Sequence, residues 1–383
     1  MKYIDEFRSP DLAKQLTAAI ASAAGSGRRY NLMEFCGGHT HVIFRYGIHG
    51  LMPDNVKFVH GPGCPVCVLP IGRIDNAIQL VVDNDVILCT YADMLRVPGS
   101  SRTSLLRAKG EGGDVRMVYS SREVLKIAKD NPEQQVVFFA IGFETTTPQT
   151  AVVIQQARAQ GLKNFSVFCN HVLTPPAMRA IMESPEPVEI DAFLAPAHVS
   201  TVIGSQAYEF FVKQYRKPMV IAGFEPLDVL QSVLMLIRQL NQGRYEVQNE
   251  YTRAVCREGN RKARNLIAAV FKVRSEFEWR GLGTVADSAL KIREEFSDHD
   301  AEKRYDIPQI HIPEVKGCEC RFILRGLKEP VNCKLFGTVC TPETPVGSCM
   351  VSAEGACAAC WSYGRYKSSA GESPLNGAAA CSV

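Results

Sequence analysis

Short apolar segments alternate with helical segments through most of this chain, and this alternation constrains the fold more than any other feature. A loop of Gly, Pro or polar residues follows each apolar segment and leads into a helical stretch. The apolar segments cover residues 56–59, 86–89, 136–141, 165–169, 192–194 and 219–222. The helical stretches include residues 73–82, 121–129, 147–160 and 227–240. This order predicts an α/β fold with parallel sheets built from βαβ units.

The chain has 383 residues, which is too long for one ordinary domain. We expect two parallel-sheet α/β domains that face each other across a cleft, plus a mainly helical or irregular domain. The predicted units are an N-terminal helix packed on the rest (1–29), α/β domain I (30–125), α/β domain II (126–245) and the third domain (246–383). Residues 244–292 are charged and expected to be helical, and the last dozen residues are expected to form a disordered tail.

Several classes of function lack support in the composition. The formal net charge is +3, and no long basic run suggests nucleic-acid binding. The first ten residues lack the apolar core of a signal peptide, and no apolar stretch approaches the roughly 20 residues of a membrane helix. We therefore expect a cytoplasmic protein without nucleic-acid or membrane partners.

The chain contains 14 cysteines, and eight of them lie at or beyond residue 318. In a reducing compartment, clustered cysteines ligate metal or carry redox chemistry more often than they form structural disulfides. The spacing lacks the two tight pairs of a structural zinc site, whereas four thiolates from separate loops can hold a 4Fe–4S cluster. A zinc ribbon and incidental buried cysteines are the alternatives. The seven clustered positions are Cys318, Cys320, Cys333, Cys340, Cys349, Cys357 and Cys360.

The motif "GPGCPVCV" places Cys64 and Cys67 in a C-x-x-C frame. Such a pair can form a small disulfide ring and exchange electrons, and a helix starting near residue 71 could lower the thiol pKa. The Gly and Pro residues around the pair suggest a rigid exposed turn. Half of a zinc site is the alternative.

The motif "EFCGGHTH" carries Glu34, Cys36, His39 and His41 after an apolar strand. Cys36 could be an exposed loop thiolate, with His39 three residues on and within reach for coordination or hydrogen bonding. A metal site is one interpretation, and a Cys–His hydrolase centred on Cys36 is another. A structural role is the third.

Five other polar loops follow apolar strands, and ligand sites of parallel α/β sheets gather at that position. Together they suggest a single cleft, although each residue alone is more typical of a helix cap. Near the C terminus, Glu354 in "GSCMVSAEGACAAC" could relay protons, orient a ligand or cap a short helix. The loop residues are Asp93, Arg96, Glu144, Thr145, Thr146, Asn170, His171, His198 and Glu225.

Seven of these motifs in order resemble the HypD family of NiFe-hydrogenase maturation factors, over residues 30–360. They are "FCGGHTH", "GPGCPVCV", "DMLRVPGS", "GFETT", "PAHVSTVIG", "GFEPLD" and "PVGSCMVSAEGAC". The resemblance implies two facing α/β domains and a third domain that holds a 4Fe–4S cluster. It also implies a monomer that pairs with a HypC-type chaperone, where an iron carrying two cyanides and one carbon monoxide is assembled with cyanide from a HypE-type donor.

The resemblance assigns roles residue by residue. Cys36 matches the iron ligand in the cleft, with His39 near it, and Cys64 and Cys67 match the redox-active pair. Cys320 and Cys349 remain as a second thiol pair, although Cys320 could also reach the cluster in place of Cys318. Cys360 receives no role. The cluster ligands implied are Cys318, Cys333, Cys340 and Cys357.

These observations favour a redox-active assembly scaffold over an enzyme with a free small substrate. Electrons for attaching the iron's ligands would come from the cluster through the thiol pairs. The alternatives are a conventional iron–sulfur or thiol oxidoreductase, for which no nucleotide fingerprint is visible, and a zinc-stabilised binding protein.

Overall fold

Nine of the thirteen strands in the described part of the chain form two parallel sheets. The computed structural model describes residues 5–363. Cys381 and the tail predicted for the last dozen residues lie outside this range. The strands are β1 (Tyr30–Glu34), β2 (Val56–His60), β3 (Ile87–Thr90), β4 (Val115–Met117), β5 (Val136–Gly142), β6 (Phe165–His171), β7 (Ala192–Pro196), β8 (Met219–Ala222), β9 (Val247–Asn249), β10 (Phe271–Val273), β11 (Glu276–Trp279), β12 (Gly283–Ala286) and β13 (Leu290–Ile292).

Helices connect and cover these strands, and the described residues also contain seven short 3₁₀ helices. The predicted helices at 73–82, 121–129, 147–160 and 227–240 are confirmed, with small shifts of their ends. The helices are α1 (Pro10–Ala24), α2 (Gly37–Arg45), α3 (Pro65–Val68), α4 (Ile71–Asn84), α5 (Leu105–Gly110), α6 (Ser121–Asp130), α7 (Thr147–Ala159), α8 (Thr174–Met182), α9 (Ala197–Ile203), α10 (Glu209–Tyr215), α11 (Pro226–Asn241), α12 (Arg261–Val270), α13 (Ala301–Arg304), α14 (Cys320–Ile323) and α15 (Ala356–Ser362).

The predicted α/β fold with parallel sheets is confirmed. The first sheet has the order β2-β1-β7-β8-β9 and the second has the order β4-β3-β5-β6, with parallel pairing throughout. All six apolar segments identified in the sequence form strands. Their near-continuous apolar character follows from burial on both faces of each sheet.

The strand pairing divides the chain differently from the boundary expected at residue 125. Strands β1 and β2 pair with β7, β8 and β9 from beyond residue 190, and the whole second sheet lies between them in the sequence. Strand β3 pairs with β5, although the two were expected in different domains. The βαβ pattern identifies strands but not their partners, and an insertion of one unit into the other leaves no local signal.

Successive strand residues point into different cores, as the two-residue period of a strand requires. In β5, Phe139 and Val137 belong to a central core that both sheets share, while Phe138 faces an outer core with α6, α7 and α12. On the first sheet, Leu32 faces an outer core formed with α1 and α11. Helix α1 begins after the Ser9 cap and packs on α11, as expected for an N-terminal helix on the body of the protein.

The expectation of helix throughout residues 244–292 is wrong. Only α12 is a helix of more than one turn there, and the remainder includes two antiparallel pairs, β10–β13 and β11–β12. The segment Glu276–Trp279 alternates exposed Glu with buried Phe277 and Trp279, which is the pattern of a half-buried strand. Because the whole region is highly charged, this two-residue alternation of exposed and buried residues was not recognised in the sequence.

The cysteine-rich region after residue 310 has short helices and turns, as expected for an irregular domain. Its buried side chains include Cys320, Cys349 and Met350, and these join the central core shared by the two sheets. The irregular domain is therefore packed against both α/β units. None of the helices in the described residues is long and apolar enough to span a membrane.

Candidate functional site

Cys36 lies where strand β1 gives way to helix α2, at the N-cap position of that helix. Its side chain is buried, with 8% of the residue exposed, so the expectation of an exposed loop thiolate is wrong. Burial raises the pKa of the Cys36 thiol well above its ordinary value, and the amides of Gly38 and His39 offset this only in part. The thiol is therefore neutral unless a cation binds to it.

His39 is fully buried and lies on the first turn of α2, three residues after Cys36. Its Nε2 is 2.9 Å from the carbonyl oxygen of Ala222, so Nε2 donates and carries the proton of a neutral ring. Burial lowers the pKa of His39, which keeps the ring neutral. Nδ1 has no hydrogen-bond partner within residues 5–363 and retains a free lone pair. The ring can therefore accept a proton or bind a metal through Nδ1.

Glu34, at the end of β1, organises the loop that presents Cys36. Its buried carboxylate accepts a hydrogen bond from the Cys36 amide at 3.0 Å and another from the Thr40 hydroxyl. His60 Nδ1, at the end of the neighbouring strand β2, lies 2.8 Å from the same carboxylate. One carboxylate thus links both strand ends to the first turn of α2.

Cys64 and Cys67 form a disulfide at the start of the short helix α3. A new helix begins at Ile71, as predicted. The pair is not exposed as expected, since 3% of Cys64 and none of Cys67 is accessible. The preceding Gly63 explains this burial: a Cβ built there would lie 2.4 Å from the Cys36 amide nitrogen, so only glycine lets the two loops approach.

Ser348 connects the disulfide to the cysteine-rich region. Its hydroxyl donates to the Cys67 carbonyl at 2.9 Å and accepts from Arg280 Nη1 at 2.8 Å. The backbone amide of Arg280 also donates to the carbonyl of Val68 at 2.8 Å. Cys349 follows Ser348 directly, so the second predicted thiol pair begins one residue away from this contact.

Glu354 lies close to Cys36, and its charge acts on the Cys36 thiol. A Cβ built on Gly37 would come within 2.3 Å of the Glu354 Cβ, which shows how closely the C-terminal segment covers the start of α2. Burial, together with the charges of Asp93 and Glu34, raises the pKa of Glu354 to about 7. The residue can therefore hold or release a proton near neutral pH. It does not cap α15, whose N-cap is Gly355.

Five thiols meet in the cysteine-rich region: Cys318, Cys320, Cys340, Cys349 and Cys357. The hydrogen bond from Cys320 raises the pKa of Cys318, and the same neighbour and burial raise that of Cys357. A Cβ at Gly347 would fall 2.5 Å from the Cys320 sulfur, so the backbone lies directly over the thiols. Cys340 Sγ accepts the Val346 amide at 3.4 Å.

Cys333 and Cys360 lie in different surroundings. Burial raises the pKa of Cys333, whose sulfur also interacts with Glu319, and burial raises the pKa of Cys360 to about 12. Three of the four predicted cluster ligands therefore belong to the thiol group, and Cys320 lies between two of them.

The donor set fits a thiolate-ligated cluster, since crowded buried thiols cannot all ionise without a compensating cation. No three His, Cys, Asp or Glu side chains in the described residues are arranged around one metal ion. A cubane cluster does not need such an arrangement, because each of its four thiolates binds a different iron.

The polar loops expected to form one cleft divide between two sheets, and several are satisfied locally. Glu144 accepts the Thr174 amide and hydroxyl, both at 2.9 Å, and His171 pairs with Thr150. The remaining loop residues make other contacts: Asn170 accepts from Arg73, Arg96 donates to Pro342, and Glu225 pairs with Arg8. Thr146 is the N-cap residue of α7, but its hydroxyl donates back to the carbonyls of Ile141 and Phe143. Asp93 is exposed.

His198 is one loop residue that does lie beside the predicted site, and Asp93, whose charge acts on Glu354, is another. Its ring centroid is 4.1 Å from that of Phe224, which in turn lies 5.0 Å from the ring of His39. Burial lowers the pKa of His198, and the nearby His39 lowers it further. Sequence reasoning did not identify Arg280, since a lone arginine in a charged segment carries no motif.

Comparisons with known proteins show the family of this chain. A family model for HypD, described as "Hydrogenase formation hypA family", matches residues 11–364. The chain is 62% identical over 376 residues to the hydrogenase expression/formation protein HupD of Azotobacter chroococcum mcd 1, covering 97% of this chain and 99% of that protein.

Two relatives called hydrogenase maturation factor HypD also match nearly the whole chain. That of Azotobacter vinelandii is 62% identical over 371 residues, covering 96% of this chain and 98% of the relative. That of Escherichia coli (strain K12) is 45% identical over 375 residues, covering 97% and 100%. The chain therefore belongs to the HypD family of hydrogenase maturation factors.

Proposed function

We propose that this protein is a cytoplasmic scaffold on which the iron centre of a NiFe hydrogenase is assembled. The substrate is an iron ion that receives two cyanides and one carbon monoxide. A HypC-type chaperone shares the iron with a monomer of this chain, and a HypE-type protein supplies the cyanide. One observation carries the proposal: Gly63 and Ser348 connect Cys36, the Cys64–Cys67 disulfide and the thiol group in a continuous series of contacts.

Cys36 is the anchor for the iron. Its raised pKa makes it a poor free nucleophile, which counts against the Cys–His hydrolase, whereas binding to a soft metal ion displaces the thiol proton. Nδ1 of His39 is available to bind the same iron or take up that proton. Glu354, whose pKa is about 7, can hold a proton nearby.

The thiols of the cysteine-rich region hold a 4Fe–4S cluster, with Cys318, Cys333, Cys340 and Cys357 as the ligands proposed. When bound, such a cluster supplies electrons one at a time. Cys320 and Cys349 form the second thiol pair and Cys64 and Cys67 the first, and their order along the contacts suits passage of electrons toward Cys36. Cys320 is the alternative ligand, since its sulfur contacts Cys318 and Cys357.

The cluster is tested by the iron and acid-labile sulfide content of protein purified without oxygen. We expect about four of each per chain and a brown colour. Zinc without sulfide would instead support a metal-stapled binding protein. Cys318→Ser and Cys320→Ser separate the ligand assignments, because the variant of the true ligand loses sulfide and the other variant retains it.

The scaffold role is tested by producing the chain with the HypC-type and HypE-type proteins and recording infrared bands of iron-bound cyanide and carbon monoxide. Cys36→Ser should abolish the bands, and Cys64→Ser or Cys67→Ser should reduce them strongly. Cys256→Ser is the matched control, because Cys256 is an exposed free thiol. Full bands in the Cys36 variant would refute the anchor, and full bands in the other two would make the disulfide dispensable.

A further inference from the structure

Arg280 is a buried cation between the two proposed thiol centres, and no motif in the sequence draws attention to it. It follows strand β11, and 3% of the residue is exposed. Its backbone amide donates to Val68, just after the disulfide, and its Nη1 donates to Ser348, just before Cys349. A charged side chain at such depth requires compensation, because desolvation of a charge is costly.

The compensation that the described residues provide is incomplete. Nε and Nη2 have no hydrogen-bond partner among them. The nearest anion, Glu314, is 28% exposed in its side chain and lies 3.6 Å from Nε, which is an ion pair without a hydrogen bond. The guanidinium thus keeps surplus positive charge and two free donors in a dry environment.

Reduction of the disulfide can leave a thiolate on a residue that is linked to this cation through Ser348. The Ser348 hydroxyl joins Arg280 Nη1 to the Cys67 carbonyl through bonds of 2.8 and 2.9 Å, so the guanidinium is two hydrogen bonds from the disulfide backbone. Reduction by a dithiol breaks the Cys64–Cys67 bond with two electrons and oxidises the reductant to its own disulfide. Of the two protons transferred, one goes to water if one protein sulfur remains a thiolate.

We propose that Arg280 is an electrostatic positioning residue that raises the reduction potential of the Cys64–Cys67 disulfide by stabilising its reduced form. A neighbouring cation favours thiolate, and a dithiol whose reduced state is stabilised is the stronger oxidant. The potential of the pair is thereby set to accept electrons from the cysteine-rich side. The inference rests on the proposed role of the disulfide as an electron carrier.

The test is the equilibrium constant for reduction of the disulfide in the full-length protein. The protein is equilibrated without oxygen in dithiothreitol buffers from both the oxidised and the reduced side, and free thiols are alkylated. Trypsin releases the peptide 58–73, in which Cys64 and Cys67 are the two cysteines, so mass spectrometry reports this pair alone. The measurement does not depend on iron loading.

Arg280→Met should lower the equilibrium constant for reduction at least about tenfold, or about 30 mV for a two-electron couple. Arg280→Lys keeps the charge and should remain within about threefold of the wild type. A Met variant within threefold of the wild type, or a Lys variant that falls as far as the Met variant, would overturn the proposal.

Glu314→Gln keeps the proposal testable if the Arg280 variants do not fold. Removing the partial counter-charge leaves Arg280 more positive, so the equilibrium constant should rise above that of the wild type. An unchanged or lower value contradicts the proposal. If the disulfide proves unnecessary for iron loading, its proposed function as an electron carrier is wrong. The differences in reduction potential between the variants would still test the role of Arg280.

Discussion

Gly63 lies against the backbone of Cys36, at a separation where a Cβ on Gly63 would be 2.4 Å from the Cys36 nitrogen and 2.5 Å from its Cα. Backbone atoms cannot rotate away as a flexible side chain can. The contact therefore fixes the disulfide loop next to the thiol proposed to bind iron. It arises because β1 and β2 are neighbours in the first sheet and their following loops leave the same edge.

Gly63→Ala should separate the two loops. We expect overpacking to lower the free energy of unfolding by about 1–3 kcal/mol, measured by urea denaturation. We also expect less iron to be bound at Cys36 than in the control variant. Gly27→Ala is the control, since a Cβ there meets no atom within 4 Å. Equal stability and equal iron binding in the two variants would show that the loops can shift freely.

Glu34→Gln should weaken the first turn of α2. The Glu34 carboxylate accepts from the Cys36 amide, the Thr40 hydroxyl and His60 together. In glutamine one of the two carboxylate oxygens is replaced by an NH₂ group, which would face a donor instead of accepting from it. The expected cost is about 2–3 kcal/mol in the free energy of unfolding. Glu111→Gln, at a side chain that is 62% exposed, should change it by less than about 0.5 kcal/mol. Equal midpoints would mean that Glu34 does not hold this loop.

Glu144 should make stability depend on pH. Burial raises its pKa to about 7, so between its ordinary value of 4.5 and about 7 the folded protein keeps a proton that the unfolded chain releases. Its contribution is therefore full below pH 4.5 and is lost as the pH rises through 7, by up to about 3 kcal/mol. Glu144→Gln removes this titration.

The measurement for Glu144 is the difference in urea-unfolding free energy between wild type and variant from pH 5 to 8. Groups that titrate in both proteins cancel in this difference. The wild type should lose stability relative to the variant as the pH rises. A flat difference, or one with the opposite slope, would mean that Glu144 is ionised in the folded protein throughout this range.

Features that depend only on a local sequence pattern were predictable from the sequence. The apolar run at 136–141 encodes a strand buried on both faces, and the N-terminal helix expected within residues 1–29 is α1. Cys64 and Cys67 are close in sequence, so their pairing needs no knowledge of the fold. Strand β4, with three residues, gives too short a signal to recognise.

Features that depend on distant segments were not predictable. The pairing of β1 with β7 joins residues about 160 apart, and no local pattern encodes it. The contacts of Ser348 with Cys67 and of Glu354 with the start of α2 likewise form only in the folded protein. The position of Cys320 between Cys318 and Cys357 also depends on how the loops meet.

Glu302→Gln should be the most destabilising of these substitutions. Glu302 on α13 pairs with both Arg73 on α4 and Arg274 after β10, and the three side chains are at most 16% exposed. The neutral amide removes the carboxylate that the two buried guanidiniums share, and breaking a buried pair in this way costs about 3–5 kcal/mol. Glu294→Gln is the matched control.

The control carboxylate also pairs with a cation, Lys303, but its side chain is 72% exposed. Water already solvates that pair, so its loss should cost less than about 1 kcal/mol in urea denaturation. The contrast isolates burial as the cause, since both substitutions remove one negative charge from the same part of the chain. A Glu302 variant as stable as the Glu294 variant would mean that water reaches Arg73 and Arg274, and the α4–α13 contact would then not depend on this ion pair.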